Sequence, residues 1–514
     1  MSLAFYRRYL TLVDEIERSF PVMYWKKGDV DIWPLARLDL YLDMYWDQVG
    51  DVPPAPRVFP LRLAGRCARP LINLWRSRGD LAHFVMRPKP AHAILLGDGV
   101  SLDRMDGAWQ DRFGEPLIAA LEKQGRTTFL MQSGNLSRLP WRRPTYAASI
   151  IEAWGQLTSF AERSPYELPD HDRVLRFLAG NGVSAPSLER VALARRAAAV
   201  SATAAGFESV LRIVKPKLAF VVTSFAGLGP AFVLSCRRQG ILSVDLQRCP
   251  LDGAPMAYAW SALPDNGYTT LPALFWNWTE EDAASIQSWA DKLALPWHQS
   301  FHGGHTQLKA FADDNGPETV AWDAKFKRIV GDAAFEREIL VALQPIGGHC
   351  ADWEALAAQI DAAPATWRWW IRRHPASHAY QDAAFGRLLS LRRPNVMIDQ
   401  ASVLPLPVLL RHMSVMLSLA SGAVVEAAMF GVPTLFLSDD SRGPFAELIA
   451  RGKARVIDAR NVNTAIALLP ATSHRRMPVR QPALDETLRR LEAIAHDYAM
   501  LCRNNNRIGA RAHD

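Results

Sequence analysis

Three short groups in the last third of the chain have the residue types and spacing to hold an anion. His374 and Pro375 follow the apolar run Trp367–Arg372. Ser421 and Gly422 follow Val415–Ser418, and Glu426 stands five residues beyond Ser421. An imidazole can donate a hydrogen bond from a backbone that the proline fixes. A small-residue turn opening a helix presents N–H groups that no earlier carbonyl accepts, and these suit a phosphate. Upstream, Gln344 begins the loop Gln344-Pro345-Ile346-Gly347-Gly348-His349, where Gly347 and Gly348 permit close backbone approach. Together these groups predict a seat for a nucleotide monophosphate or diphosphate.

The flanking sequence supplies the elements that must position them. From Arg337 the chain reads as strand, Gly-Gly loop, helix, strand, His-Pro, then strand, Ser-Gly turn, helix, Gly-Val-Pro and strand. Each candidate therefore falls at the C-terminal end of a strand, where open α/β sheets bind their ligands. A second β-loop-α series begins near Ala91: AHAILLG, the helix PLIAALEKQG, RTTFLMQ, LAFVVTS, PAFVLSCRRQG and ILSVDLQ. This alternation predicts a parallel, doubly wound sheet. The Gly-rich stretch between Asp98 and Pro116 reads as a loop, and the Trp-rich stretch from Pro264 to Gly331 as the crossing between domains.

Length and composition fit two such domains. The 514 residues exceed one ordinary core, and 17 Trp with 21 Phe provide apolar volume for two. The five cysteines are scattered without a CxxC pair, which predicts a reducing compartment, the cytoplasm. Arg7, Arg8, Asp14 and Glu15 interrupt the N-terminal run, so a signal peptide is not expected. No run looks long and apolar enough to span a bilayer. The net charge of +7 favours an acidic partner. Between Arg57 and Arg78, arginines alternate with Phe59, Leu63, Ile72 and Trp75. That pattern suits a basic face on a packed helix or an interfacial helix on the inner face of the membrane. No nucleic-acid motif is present. His298, His302 and His305 lack the spacing of a metal site, and no catalytic metal is expected.

The RRHP run with the later SLASGAVVEAAMFGVPTLFL resembles the donor-binding half of GT-B glycosyltransferases of bacterial capsule and lipopolysaccharide synthesis. Its kin include Kdo and polysialic acid transferases, which use CMP-sugars, and CDP-glycerol transferases. The resemblance spans roughly residues 335–460. It implies that His374 and Ser421 contact donor phosphate and that Glu426 binds a ribose or sugar hydroxyl. It also implies a nucleotide-sugar substrate, CMP-linked by analogy, with no cofactor beyond it. Asp245 and Gln247 match a D-x-Q-H-G segment of the same families and become acceptor-side candidates. Arg248 and Cys249 stand where that segment carries His and Gly.

An inverting transfer also needs a base within reach of the acceptor hydroxyl. The acids of the first α/β loop are candidates, with Asp98 at the strand end and Asp111 further along. The expected architecture is α/β, GT-B: two Rossmann-like domains with a helical N-terminal extension and a C-terminal helix. The expected spans are 1–90 for the extension, 91–330 for the acceptor domain, 331–475 for the nucleotide-sugar domain and 476–514 for the helix and tail. The expected activity is sugar transfer to a surface-polysaccharide or lipid-linked glycan. Rival readings are a CDP-glycerol-type phosphotransferase, a GT-B sugar epimerase and a non-catalytic peripheral assembly protein.

Overall fold

The computed structural model describes residues 3–49, 88–105, 107–133, 140–159, 168–251, 254–311, 313–331, 334–344, 352–374, 385–470 and 480–511. The expectations for Arg57–Arg78, Gly347, Gly348 and Pro375 lie outside the described residues. The chain forms two compact units. One comprises Arg8–His305 with Pro482–Asp514; the other comprises Thr306–Gln481 with Met1–Arg7. The division falls at His305/Thr306, so the helix Pro317–Val330 groups with the C-terminal unit and not with the domain expected for 91–330.

In the N-terminal unit, helix α1 (Leu3–Ser19), which belongs to this unit from Arg8 onward, and helix α2 (Trp33–Val49) precede a seven-stranded sheet. Its strands are β1 (Ala93–Gly97), β2 (Thr128–Gln132), β3 (Thr145–Ala147), β4 (Leu218–Val222), β5 (Leu242–Leu246), β6 (Leu274–Asn277) and β7 (Gln299–His302). All neighbours pair parallel in the order β7-β6-β5-β4-β1-β2-β3. Every residue of β1, β4 and β5 is buried, as expected where helices cover both faces of a parallel sheet. Strands β6 and β7 lie inside the stretch expected to be the interdomain crossing. The expected loop after Asp98 likewise holds a hairpin, Leu102–Met105 against Ala108–Asp111, turning at Gly107 with φ +84°. Helix α3 (Gly114–Lys123) follows it.

Helix α5 (Arg190–Val214) packs against α4 (Ser149–Ser159) and α6 (Gly229–Gln239). Among the described residues it is long and apolar enough to cross a membrane by length and composition, which differs from the expectation above. Its buried positions Leu193, Ala197, Val200, Ala204, Phe207 and Leu211 recur at three- and four-residue spacing, the stripe of a helix facing a core. Contact with α4 is close because glycines allow it. A Cβ at Gly155 would sit 1.8 Å from Thr203 Oγ1, and one at Gly206 2.8 Å from Ile151 Cγ2.

In the C-terminal unit the strands are β8 (Arg337–Ala342), β9 (Trp367–Arg372), β10 (Val396–Met397), β11 (Val415–Ser418), β12 (Thr434–Phe436) and β13 (Ala454–Val456). They pair parallel in the order β10-β9-β8-β11-β12-β13. A core containing Ile339, Val341, Trp369, Ile371, Leu417 and Leu435 meets helix α7 (Trp353–Ala362). Both units are thus doubly wound Rossmann-like α/β domains. In each, strand order reverses beside the first strand: between β1 and β4 in one, between β8 and β11 in the other.

Helix α9 (Leu484–Arg511) follows the C-terminal unit in sequence but belongs to the N-terminal one. Gln124 donates to Asp485 at 3.0 Å, and Arg126 donates to Glu492 at 3.1 Å. Arg237 lies 3.5 Å from the Trp297 ring centroid and donates to the Tyr498 hydroxyl at 3.3 Å.

Candidate functional site

Strand register in the C-terminal unit brings three predicted residues to one edge. Ala342 of β8 aligns with Arg372 of β9 on one side and with Ser418 of β11 on the other. Two residues further on, the three chains reach Gln344, His374 and Ala420, followed by Ser421. Leu343 N donates to Arg372 O at 2.9 Å, extending the ladder toward the edge. Gln344 Oε1 accepts from Ala420 N at 2.9 Å, across the point where strand order reverses. Gln344, His374, Ser421 and Gly422 are all half-buried, open enough to meet a ligand.

The Ser-Gly turn is stabilised from within. Ser421 N donates to Ser418 Oγ at 3.2 Å, and Ala423 N donates to Ser421 Oγ at 3.3 Å. Val424 N donates to Ser421 O at 3.1 Å. Helix α8 (Ala423–Met429) begins at Ala423, directly after the Ser-Gly turn, so Glu426 is its fourth residue and is buried. An anion reaching this turn would exchange with the Ser421 hydroxyl or the Gln344 amide for these N–H groups. Beside His374, Arg373 N donates to Ser402 Oγ at 3.1 Å, and Arg372 donates to Ala401 O and Leu404 O. These bonds anchor the chain leaving β9. A cleft of about 410 Å³ opens beyond β12 and β13, where Ser438, Asp439, Arg442, Asp458 and Arg460 line it.

The N-terminal unit gathers a second cluster at its own reversal point. Asp98 directly follows β1. Its Oδ1 accepts from Val100 N at 2.9 Å and Ser101 N at 2.7 Å. Its Oδ2 accepts from Ser101 Oγ at 2.9 Å and Thr223 Oγ1 at 3.1 Å, with Arg248 Nη1 at 3.3 Å. Thr223, directly after β4, has φ +70°, unusual for a β-branched residue and a mark of imposed local conformation. The turn is crowded: a Cβ at Gly229 would lie 2.2 Å from Thr223 O.

Asp111 lies deeper. Its Oδ1 accepts from Phe113 N at 3.1 Å and Gly114 N at 2.8 Å, and its Oδ2 from Gln132 Nε2 at 2.9 Å. Gln132 Oε1 in turn accepts from Gly99 N at 3.0 Å, next to Asp98. Burial, then the nearby Asp98 charge, push the Asp111 carboxyl up to about 7. The structure therefore joins Asp98 and Asp111 in one network.

Asp245 and Gln247 sit behind that network. Asp245 accepts from Ser224 N and the Tyr258 hydroxyl, each at 3.0 Å, and burial raises its carboxyl. Gln247 accepts from Trp278 N at 2.8 Å and donates to Asp282 at 3.0 Å and to Cys249 O at 3.1 Å. Both side chains hold turns in place. His298 is fully engaged as well, between Pro272 O at 2.8 Å and Tyr268 N at 3.0 Å, with burial lowering its imidazole to about 3.

No family model matches the sequence, and no curated protein matches it. Solved structures do align with the chain. The UDP-GlcNAc 2-epimerase from Methanocaldococcus jannaschii shares 12% identity over 78% of this chain and 98% of its own, at a TM-score of 0.46. The UDP-GlcNAc 2-epimerase from Neisseria meningitidis, bound to UDP-GlcNAc, shares 14% over 79% and 99%, at 0.47. The glycosyltransferase SnogD from Streptomyces nogalater shares 14% over 82% and 100%, at 0.38. At such identities and scores the functional reading rests on the geometry of the sites.

Three participants escape sequence reasoning: Thr223, Gln132 and Arg248. The first two become visible only once β4 and β2 flank β1. Arg248 had a signal, since it replaces the histidine of the D-x-Q-H-G pattern, but its contact with Asp98 depends on the fold.

Proposed function

We propose that the chain is a nucleotide-sugar-dependent enzyme of the GT-B type that transfers a sugar to a surface-polysaccharide or lipid-linked glycan. The observation that carries this reading is the convergence of Gln344, His374 and Ser421 on one edge, at the reversal point between β8 and β11. In this reading His374 and the Ser421-Gly422 turn hold the donor phosphate, while Glu426 binds a hydroxyl of the ribose or sugar. Donors aimed at the leaving phosphate stabilise charge that grows during departure, so the reaction needs no cofactor beyond the donor. Asp98 takes the acceptor proton in the N-terminal unit, with Asp111 as its electrostatic partner. A cytoplasmic, membrane-peripheral location belongs to the same reading and draws support from the basic, aromatic sequence between Arg57 and Arg78.

A thermal-shift screen of CMP, CDP, UDP, GDP and dTDP tests the donor seat. A nucleotide at a hundred times its dissociation constant should stabilise the protein by about 2.7 kcal/mol. His374→Ala and Ser421→Ala should each weaken that nucleotide about tenfold or more, the scale of a lost charge-assisted hydrogen bond. Silence across all five nucleotides would refute the donor seat. Conversion of a UDP-sugar to its epimer without an acceptor would replace transfer by epimerisation. Release of nucleoside monophosphate with a glycerol-phosphate product would replace it by phosphotransfer.

A further inference from the structure

Arg248 has more hydrogen-bonding capacity than its surroundings use. A guanidinium carries five N–H donors. Here Nη1 makes one long contact, 3.3 Å to Asp98 Oδ2. Nε is buried and has no hydrogen-bond acceptor among the described residues. About a third of the side chain stays exposed, at 32%. Asp98 does not depend on this cation for its hydrogen bonds, since Val100 N, Ser101 N, Ser101 Oγ and Thr223 Oγ1 already donate to it at 2.7–3.1 Å. Buried donors in native proteins are nearly always satisfied, so the unmet Nε, on a side chain that is part open at the sheet edge, leaves capacity for a ligand oxygen.

The position reinforces this. Arg248 follows β5 by two residues, while Asp98 and Thr223 directly follow β1 and β4, the strands that flank the reversal point. Helix α6 starts at the same edge at Gly229, and its N-terminal end adds positive potential. The acids around the arginine are already engaged: Asp98 as above, Asp111 by Gln132 and two backbone N–H groups, Asp245 by Ser224 and Tyr258. Asp282 accepts from Gln247 at 3.0 Å.

We propose that Arg248 binds an oxyanion, a carboxylate or phosphoryl group, on the molecule that enters the N-terminal unit, and that Asp98 is the residue that aims its guanidinium. The planar fork suits bidentate recognition of either group, which a lysine ammonium does not reproduce. The site belongs to the N-terminal unit alone, so it can stand if the donor seat fails.

Calorimetric titration of the full chain at low ionic strength tests this. The probes are glycerol 1-phosphate, glucuronate and, as the neutral control, glucose. Saturable binding of at least one anion is expected, with Arg248→Gln weakening it tenfold or more. The His374→Ala/Ser421→Ala double variant should keep that affinity, which separates this site from the donor seat. A preference for glycerol 1-phosphate assigns a phosphoryl group, and a preference for glucuronate assigns a carboxylate. Equal affinity in wild type and Arg248→Gln would overturn the proposal, as would no saturable binding of either anion, or binding lost only in the double variant. If Arg248→Gln fails to give a cooperative urea transition, Arg248→Lys carries the test. It keeps the charge and loses the fork, so wild-type affinity in that variant overturns the proposal and a severalfold loss supports it.

Discussion

Burial and the Asp98 charge raise the Asp111 carboxyl to about 7 from its ordinary 3.8. Between these values the folded protein keeps a proton that the unfolded chain has released. The contribution of Asp111 to stability is therefore full below about pH 4 and declines as pH rises to about 7, then levels off. Asp111→Asn removes this titration. The stability of wild type minus that of the variant should fall between pH 5 and 7, by at most about 1.4 kcal/mol per pH unit. Urea denaturation at each pH measures it, and a flat difference would show that Asp111 does not titrate there. His298, lowered to about 3 by burial, pulls the wild-type profile the other way but cancels in the difference. The residue types at the edge formed by Gln344, His374 and Ser421 were legible because His-Pro and Ser-Gly each sit at the end of an apolar run. The Asp98–Arg248 contact was not, because it joins residues 150 positions apart through three strands.

Pairing between α4 and α5 depends on Gly155, where a Cβ would strike Thr203 Oγ1 at 1.8 Å and approach Ala199 O to 3.0 Å. Gly155→Ala should cost about 1–3 kcal/mol, the range for overpacking. Adding Thr203→Ala should restore part of it, because the shortest clash is with that hydroxyl. Tryptophan-monitored denaturation of the single and double variants reads both effects, and a Gly155→Ala protein as stable as wild type would contradict the helix packing. Elements with unbroken apolar runs, such as β1 and β4, could be read from sequence because both faces are covered. Strands β6 and β7 could not. Their residues Trp276, Asn277 and His302 do not form a plain aliphatic run, and four-residue strands leave little periodicity to detect. The Leu102–Asp111 hairpin was hidden by its Asp and Gly content, which reads as a turn without revealing the strands on either side.

At the scale of the molecule, α9 ties the end of the chain to the unit nearest its beginning. Deleting residues 482–514 removes Asp485, Glu492 and Tyr498 from their partners Gln124, Arg126 and Arg237. The truncated protein should lose stability in its N-terminal unit while the C-terminal unit keeps its unfolding midpoint. Calorimetry that resolves the two transitions checks this, and a shift confined to the other transition would contradict the assignment of α9. Two doubly wound units were legible from the twice-repeated strand-and-helix series, whereas the division at His305/Thr306 required the tertiary contacts. Domains generally complete themselves in the order in which the ribosome delivers them. Here that order is inverted, because the first unit lacks its covering helix until translation has passed through the whole of the second. A chain cut short by premature termination after Gln481 would contain every strand of both sheets and still leave the older half unfinished.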